Sequence, residues 1–227
     1  MKMAVLGTGM VGRAHAERLN ELGHEVVMGT QNVEETLKKS EPDALEGEFH
    51  VNWQEQHSDI NLAIFADAAR DAEIIIEALN GQIAVEVLKS IEPELAGKVL
   101  IDISNPLVFS DDTPPTLFVC NTDSLGEQIQ RALPSVKVVK SLNTISAELQ
   151  VHPKKLAHGN HVVFMSGNDS EAKIVASDLL KGYDWEHIVD LGDITTSRGA
   201  EMMMPMWLQL MKVEGTYRFN YQIVKDK

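Results

Sequence analysis

The sequence has little cysteine, since Cys120 is the only one among 227 residues. A single cysteine excludes a disulfide framework within the chain and is compatible with a reducing compartment. We expect Cys120 to be a buried thiol and not a nucleophile, because it lies in an apolar stretch with no obvious charge partner. The fold must then be held by its hydrophobic core, for which 44% apolar residues suffice.

Basic charge and long hydrophobic runs are also scarce. The chain has 20 Lys and Arg residues against 34 Asp and Glu residues, which gives a net charge of −14. This charge is unsuited to nucleic acid, whose phosphates need a basic face. No apolar run approaches the roughly 20 residues of a membrane-spanning helix, and the first strand begins too early for a signal peptide. We therefore expect a cytoplasmic protein without nucleic-acid or membrane partners.

Hydrolase and metal motifs are missing as well. There is no G-x-S-x-G sequence of the kind that carries a hydrolase nucleophile. His158 and His161 are close in the chain, but no H-E-x-x-H or paired-cysteine spacing accompanies them. We therefore predict neither a hydrolytic triad nor a metal site.

The sequence does contain a glycine motif near its start. The apolar run Met3–Leu6 leads into G-x-G-x-x-G, then an amphipathic segment and a second apolar run, His24–Met28. Strand, glycine turn, helix and strand in this order are typical of a dinucleotide-binding βαβ unit. Gly7 allows the tight turn, Gly9 lets a pyrophosphate approach the backbone, and Gly12 lets the helix pack on the strand. The alternative is a turn with only a structural role.

The end of the second strand indicates which dinucleotide binds. NAD enzymes usually carry an acidic residue about 20 residues after the glycine motif, where it holds the ribose 2′-hydroxyl. Here residues 29–32 read Gly-Thr-Gln-Asn, with no acid. Small and amide side chains can donate hydrogen bonds to a 2′-phosphate, and Lys38 and Lys39 follow nearby. We therefore predict NADP in preference to NAD; the alternative is an ordinary turn with Asn32 as the helix N-cap.

Two later apolar runs are each followed by an asparagine. Glu73–Leu79 reads EIIIEAL and leads into Asn80, while Lys98–Ile103 leads into Ser104 and Asn105. Such runs are typical of buried parallel strands, and ligands of open α/β sheets sit beyond the carboxyl ends of the strands. We therefore predict a doubly wound, mostly parallel sheet of Rossmann type, with the nicotinamide near these asparagines. As plain turn residues they would need no ligand.

The pattern changes after Gln150, where two further strand patterns alternate with helix patterns. We predict a dinucleotide-binding domain over residues 1–146 and a small C-terminal α/β part over residues 147–227, packed on the acceptor side. The methionine-rich residues 202–207 are expected in the core or at a subunit interface, because methionine fills irregular apolar space.

Six stretches follow one another in the order of a known family. They are residues 5–12, 23–30, 98–105, 138–145, 166–169 and 190–198. On these stretches the chain resembles the NADPH-dependent reductases of the deazaflavin coenzyme F420, and also the cytosolic domain of the six-transmembrane ferric reductases. The resemblance implies a Rossmann domain with a small C-terminal part, commonly a homodimer. It also implies hydride transfer between nicotinamide C4 and a flavin or deazaflavin, which needs positioning more than acid–base help, so we name no general acid or base.

The resemblance further implies the residues of the site. Those expected along the pyrophosphate are Gly7, Thr8, Gly9, Met10, Val11 and Gly12. Thr30 is expected at the 2′-phosphate with Gln31 and Asn32 beside it; relatives tend to carry Arg where this chain has Gln31, so a forked donor is missing. The residues expected to border the nicotinamide are Leu79, Asn80, Asn105 and Pro106, and those expected to border the hydride acceptor are Asn143, Thr144 and Ile145.

Three functions stay open at this point. The leading one is an NADP(H)-dependent oxidoreductase with a small-molecule deazaflavin or flavin acceptor. Pyrroline-carboxylate and β-hydroxyacid reductases have similar N-terminal domains and would make the chain a reductase of a small imine or keto acid. Their long all-helical C-terminal regions differ from the two extra strands expected here. An NADP(H)-binding redox sensor without turnover is the non-enzymatic alternative.

Overall fold

A computed structural model describes residues 1–38, 50–110 and 114–226. Lys39, one of the two lysines expected near the 2′-phosphate, lies outside these ranges. No helix within them is long and apolar enough to cross a membrane.

The strands of the described ranges form one large sheet and one hairpin. They are β1 (Lys2–Leu6), β2 (Glu25–Thr30), β3 (Asn61–Ile64), β4 (Ile74–Glu77), β5 (Val99–Asp102), β6 (Leu107–Val108), β7 (Thr116–Leu117), β8 (Lys137–Ser141), β9 (Val162–Gly167) and β10 (His187–Gly192). The sheet has the order β10-β9-β8-β5-β4-β1-β2-β3, and its neighbours are parallel except β8 and β9. β6 and β7 pair antiparallel beside it.

Helices pack on both faces of this sheet. They are α1 (Met10–Glu21), α2 (Val33–Lys38), α3 (His50–Gln56), α4 (Phe65–Arg70), α5 (Gly81–Ser90), α6 (Glu92–Leu95), α7 (Leu125–Ala132), α8 (Ala147–Val151), α9 (Ser170–Gly182), α10 (Ser197–Met202) and α11 (Met204–Glu214). Successive residues of a strand point to opposite faces, so Ile76 joins the core cluster under α1 and α9, while Ile75 joins the one under α5 and α7. The prediction of a doubly wound, mostly parallel Rossmann-type sheet is confirmed.

The C-terminal strands extend the same sheet. β9 pairs antiparallel to β8, with Ser141 opposite Met165 and Lys140 opposite Ser166. β10 then pairs parallel to β9. The small C-terminal α/β part is thus an addition to one edge of the sheet, and the boundary at residue 146 stays a prediction.

A buried polar network joins α1 to this C-terminal part. His15 is fully buried on α1, with Nδ1 3.1 Å from Tyr183 Oη and Nε2 2.9 Å from Gln150 Oε1. Trp185 Nε1 donates to the carbonyl oxygen of Gln150 at 2.8 Å. Burial lowers the pKa of His15 to about 4, so the ring is neutral in the folded protein at physiological pH.

Cys120 is exposed, so the expectation of a buried thiol is wrong. It follows the β6–β7 hairpin, in a turn where the Thr122 amide donates to the Cys120 carbonyl oxygen at 2.9 Å. The apolar neighbour Phe118 is itself 41% exposed. The apolar stretch around Cys120 belongs to a surface hairpin and not to a buried strand.

Candidate functional site

The glycine turn between β1 and α1 excludes side chains at two positions. Gly7 has a φ of +118°, and its amide donates to the Gly29 carbonyl oxygen at 3.0 Å. A Cβ on Gly7 would lie 2.4 Å from the Ala78 carbonyl oxygen, and one on Gly12 would lie 2.1 Å from the Gly7 carbonyl oxygen. These two glycines therefore bring β1, β4 and α1 closer together than any other residue type allows.

Gly9 faces open space instead. A Cβ built on it meets nothing within 4 Å, and its extended backbone forms the N-cap of α1. Within the described part of the chain, Gly9 supplies no side-chain cap and the first turn of α1 holds no acidic residue, so this helix N-terminus has no negative side chain of its own. A helix N-terminus of this kind favours an anion, and the space beside Gly9 fits a pyrophosphate.

A cleft of about 200 Å³ lies beyond the carboxyl ends of β4 and β5, next to this turn. The residues that line it are Val11, Ala78, Leu79, Asn80, Gly81, Ile103, Ser104, Asn105, Leu107 and Phe109. Four residues predicted to bind the coenzyme are thus brought together: Val11, Leu79, Asn80 and Asn105. Pro106 is not among the lining residues; its carbonyl oxygen accepts the Phe118 amide at 2.9 Å at the base of the hairpin.

The two loops that follow β4 and β5 touch each other in this cleft. A Cβ on Gly81 would lie 2.1 Å from the Asn105 carbonyl oxygen, so glycine is required for the contact. Asn80 caps α5, with its Oδ1 accepting the Gln82 amide at 2.9 Å. Asn80 therefore has a structural role as the N-cap of α5, and it also lines the cleft.

Asn105 and Asn143 form a reciprocal pair at the edge of the cleft. Asn105 Nδ2 donates to the Asn143 carbonyl oxygen at 2.9 Å, and Asn143 Nδ2 donates to Asn105 Oδ1 at 2.9 Å. The side chains of Thr144 and Ile145 are buried, and Ile145 belongs to the core cluster under α1. Leu142, just before them, has a φ of +61°, a conformation that costs a leucine roughly 1 kcal/mol. The pair links the residue expected at the nicotinamide to the one expected at the acceptor.

The residues expected at the 2′-phosphate differ in accessibility. Thr30 is only 7% exposed, and its Oγ1 lies 2.7 Å from Thr36 Oγ1. Asn32 caps α2, since its Oδ1 accepts the Glu35 amide at 3.2 Å, as the structural alternative predicted. Lys38 pairs with Glu34 at 3.5 Å. The exposed side chains at the end of β2 are those of Gln31 and Asn32.

Beneath the cleft lies a group of charged residues that the sequence motifs do not predict. Glu77, Asp102 and Lys140 are register partners on adjacent strands, and each is fully or almost fully buried. Lys140 Nζ lies 3.0 Å from Asp102 Oδ2 and 3.0 Å from Glu201 Oε1. Glu201 Oε2 and Oε1 accept the amides of Leu125 and Gly126 at the start of α7, at 2.8 and 2.9 Å. We call Glu77, Asp102, Lys140 and Glu201 the buried ion cluster.

The cluster contains three acids and one base, and their burial and proximity shift the pKa values of Glu77 and Lys140. Burial, followed by the charge of Asp102, raises the pKa of Glu77 well above its usual range. Glu77 Oε1 accepts the Leu79 amide at 2.7 Å. Burial alone would lower the pKa of Lys140, but Asp102 and Glu201 outweigh it, and the pKa is raised. The surroundings thus favour the charged form of Lys140 and the neutral form of Glu77.

Arg198 lies in the last stretch of the family pattern and is bound to an acid. Its Nε and Nη2 donate to Glu127 Oε2 and Oε1, at 2.7 and 2.5 Å. This fork lowers the pKa of Glu127, so the ion pair is intact at neutral pH. Ser124 Oγ, 2.7 Å from Ser197 Oγ, ties the same two helices together.

The glycine turn and the cleft at the carboxyl ends of the strands define a Rossmann-type dinucleotide-binding protein. The model of a family described as NADP oxidoreductase, coenzyme F420-dependent, matches residues 2–106. A solved structure from Arthrobacter sp. FB24, provisionally assigned as an F420-dependent NADP reductase, is 49% identical with a TM-score of 0.94 and covers 99% of this chain and 100% of that one. This chain belongs to that family, as its resemblance predicted, and is an oxidoreductase.

Two curated proteins are more distant relatives. The F420-dependent NADP reductase of Methanocaldococcus jannaschii is 28% identical over 215 residues, which are 92% of each chain. The metalloreductase STEAP3 of Rattus norvegicus is 28% identical over 211 residues, which are 91% of this chain but 38% of that protein. The similarity to the methanogen reductase therefore extends over both proteins, whereas in STEAP3 it covers one part.

Proposed function

We propose that this oxidoreductase transfers a hydride between NADP(H) and the deazaflavin coenzyme F420. The observation that carries the proposal is the cleft beside the glycine turn, which is lined by Val11 from the first turn of α1 and by Asn80 and Asn105 from the ends of β4 and β5. Two relatives are named for this reaction, and their similarity to this chain extends over nearly the whole length of each. A flavin is the alternative acceptor.

In the proposed complex, the N-terminal amides of α1 beside Gly9 would hold the pyrophosphate. Leu79, Asn80 and Asn105 would hold the nicotinamide in the cleft. Bound NADPH supplies the hydride from its nicotinamide C4, and the acceptor takes this hydride together with one proton. Asn143 holds Asn105 at the boundary between the two rings, so the chain's task is to fix their separation and angle.

The described residues that line the cleft include no titratable side chain. A general acid or base is therefore not part of the proposed mechanism. The proton that accompanies the hydride would then come from the solvent. The side chains serve instead to exclude water from one face of the nicotinamide, as Val11, Ile103 and Leu107 would do.

NADP is the proposed coenzyme because no carboxylate stands at the end of β2 to repel a 2′-phosphate. Gln31 and Asn32 are exposed there and offer amide donors. Thr30 has its hydroxyl 2.7 Å from that of Thr36, and would have to turn from it to reach a phosphate.

The decisive experiment mixes the purified protein with NADPH and oxidised F420, FMN or FAD in separate reactions, and follows NADPH absorbance. We expect turnover with F420 and slower or no turnover with the flavins. Tight NADPH binding without turnover on any of the three acceptors would refute the proposed reaction and favour a redox sensor. Turnover only with a cyclic imine or a keto acid would favour the small-substrate reductases.

We also propose that the protein is a cytoplasmic homodimer. Large apolar side chains are exposed on the last two helices, with Met202 at 41%, Met206 at 60% and Val213 at 78%. Such side chains are more typical of an interface than of a free surface. Light scattering on the eluting protein measures the mass directly, and a monomer at micromolar concentration would contradict the dimer.

A further inference from the structure

Lys140 is the central residue of the buried ion cluster, and hydride transfer as proposed does not use it. Its side chain is 1% exposed, and that of its partner Asp102 is fully buried. A lysine is almost never fully buried unless it is paired, because losing its hydration is costly. A cluster of this kind directly beneath a cleft therefore calls for an explanation beyond packing.

Ser104 is the point at which the cluster reaches the cleft. Asp102 Oδ1 accepts both the Ser104 amide at 2.9 Å and the Ser104 hydroxyl at 2.7 Å. Lys140 Nζ donates to the Ser104 carbonyl oxygen at 2.6 Å. All three polar groups of Ser104 are thus bound by the cluster, and Ser104 itself lines the cleft immediately before Asn105.

The same design recurs at the end of β4. Glu77 Oε1 accepts the amide of Leu79, two residues further on, just as Asp102 accepts the amide of Ser104. Leu79 also lines the cleft. At the ends of two neighbouring strands, carboxyl groups beneath the cleft therefore fix the backbone of a residue that lines it.

β5 and β8 are joined twice at this edge of the sheet. Asp102 and Lys140 are register partners and form the inner link. Asn105 and Asn143, each three residues further along the chain and beyond the end of its strand, form the outer link. The inner link is buried and charged, while the outer one borders the cleft, so the position of the outer link depends on the inner one.

We propose that Lys140 is a positioning residue, which holds the Ser104–Asn105 wall of the cleft against β8 and α7 through Asp102 and Glu201. The inference rests on the proposed hydride transfer for its kinetic consequence. Stability alone does not require the charges, since apolar residues of similar size often replace a buried ion pair at no cost in stability. Geometry at the wall does require them, because apolar residues cannot hold the polar atoms of Ser104.

The test compares the wild type with the double variant Asp102→Leu and Lys140→Met. Glu201 keeps its two amide donors on α7 in this variant. Lys154→Met is the matched control, since Lys154 is 54% exposed and pairs with Asp184 at the surface. Four quantities are measured: the melting temperature, the NADPH dissociation constant, the single-turnover rate of hydride transfer, and amide hydrogen exchange in residues 103–108.

We expect the double variant to fold and to bind NADPH within about threefold of the wild type, because the pyrophosphate site is untouched. We expect hydride transfer to slow by about 30- to 100-fold, the effect of misplacing a reacting group by about 1 Å. Exchange in residues 103–108 should quicken by at least about tenfold, since the Ser104 amide loses its acceptor. Transfer and exchange rates within about twofold of the wild type would overturn the inference.

Two further outcomes are also decisive. If the wild type transfers no hydride to any acceptor, the proposed function fails, and the exchange of residues 103–108 alone decides the positioning role. If the double variant does not fold, Ser104→Ala takes its place, because it removes only the hydroxyl donor to Asp102. We then expect a fall in transfer rate of about three- to tenfold at an unchanged NADPH affinity, and an unchanged rate would overturn the inference.

Discussion

The two walls of the cleft are built by different means. Beside α1, contact depends on the absence of side chains: Gly7 and Gly12 allow backbone atoms to meet, and Gly9 leaves an open space. Beside β8, contact depends on side chains: Asn105 binds Asn143, and Asp102 binds Lys140. The first wall offers backbone amides, which bind a phosphate whatever molecule carries it. The shape of the second wall depends on the side chains that form its pairs.

This difference has a consequence for how the two walls respond to mutation. A wall made of backbone is altered when an added side chain occupies the ligand's space, and the loss of affinity is then large. A wall made of side-chain pairs can be altered gradually, because each pair can be removed by itself. The predictions below test this contrast, in order of decreasing effect.

The largest effect is expected from Gly9→Asp. A Cβ at this position meets nothing within 4 Å, so the fold should be retained and the melting temperature unchanged. The carboxylate would occupy the proposed pyrophosphate position and repel it, and NADPH affinity should fall at least 100-fold, about 3 kcal/mol. Titration calorimetry measures this, with Gly9→Ala as the control that adds volume without charge. Unchanged affinity would remove the pyrophosphate from this turn.

Acid should weaken the connection between the α1 wall and the C-terminal part. The pKa of His15 is about 4 in the folded protein and 6.5 in the unfolded chain, so the unfolded chain binds the extra proton between these values. Stability should therefore be complete above pH 6.5 and decline by up to about 3 kcal/mol as the pH falls towards 4.

Urea unfolding at pH 7.5 and at pH 4.5 checks this decline. His15→Gln removes the titrating group, so the difference in stability between the two pH values should be smaller in the variant by about 2 to 3 kcal/mol. The partly buried His24 and His152, whose pKa values are also lowered, contribute equally to both proteins. An equal decline in the two proteins would show that His15 does not carry the effect.

Asn143→Leu should affect turnover more than coenzyme affinity. The leucine cannot donate to Asn105 Oδ1, so the outer link between β5 and β8 loses one of its two hydrogen bonds. We expect kcat to fall about 30-fold and NADPH affinity to change less than threefold. Steady-state kinetics with F420 gives both values, and Asn143→Asp, similar in shape but without the donor, should behave alike. Equal losses of kcat and affinity would assign Asn143 to the coenzyme site.

The smallest effect is expected from Gln31→Arg. Arginine would supply the forked donor that this turn lacks, and NADPH should bind about fivefold more tightly while NADH is unaffected. Gln31→Lys, a point charge without a fork, should give a smaller gain. The ratio of the two dissociation constants measures the change. If the ratio does not move, the 2′-phosphate does not lie beside residue 31.

The glycine turn of the α1 wall could be predicted from the sequence, because the residues that form it are close together in the chain. Gly7, Gly9 and Gly12 occur within six residues, and the strand and helix around them are evident from their apolar patterns. The cleft residues Asn80 and Asn105 were predicted by one further rule, that ligands lie beyond the carboxyl ends of parallel strands. That rule needs only the end of each strand and not its partner.

The buried ion cluster could not be predicted in the same way. Asp102 and Lys140 are 38 residues apart, and only the register of β5 and β8 brings them together. A signal was present, because Glu77, Asp102 and Lys140 each place a charge at the end of an apolar run. Local sequence also gave no sign that the Thr30 hydroxyl would meet Thr36, since this contact depends on the direction in which α2 leaves the sheet.

A cleft whose described lining holds no titratable group has a kinetic consequence for the proposed reaction, and the stoichiometry of that reaction adds a thermodynamic one. Hydride transfer from NADPH to F420 consumes one proton from the medium, and no side chain of the lining buffers it. The rate of the transfer should then vary little between about pH 6 and 9, while its equilibrium shifts about tenfold for each pH unit. In a cell, the direction of electron flow would follow the acidity of the medium and the ratio of reduced to oxidised coenzyme in each of the two pools. The protein would then catalyse the transfer in either direction.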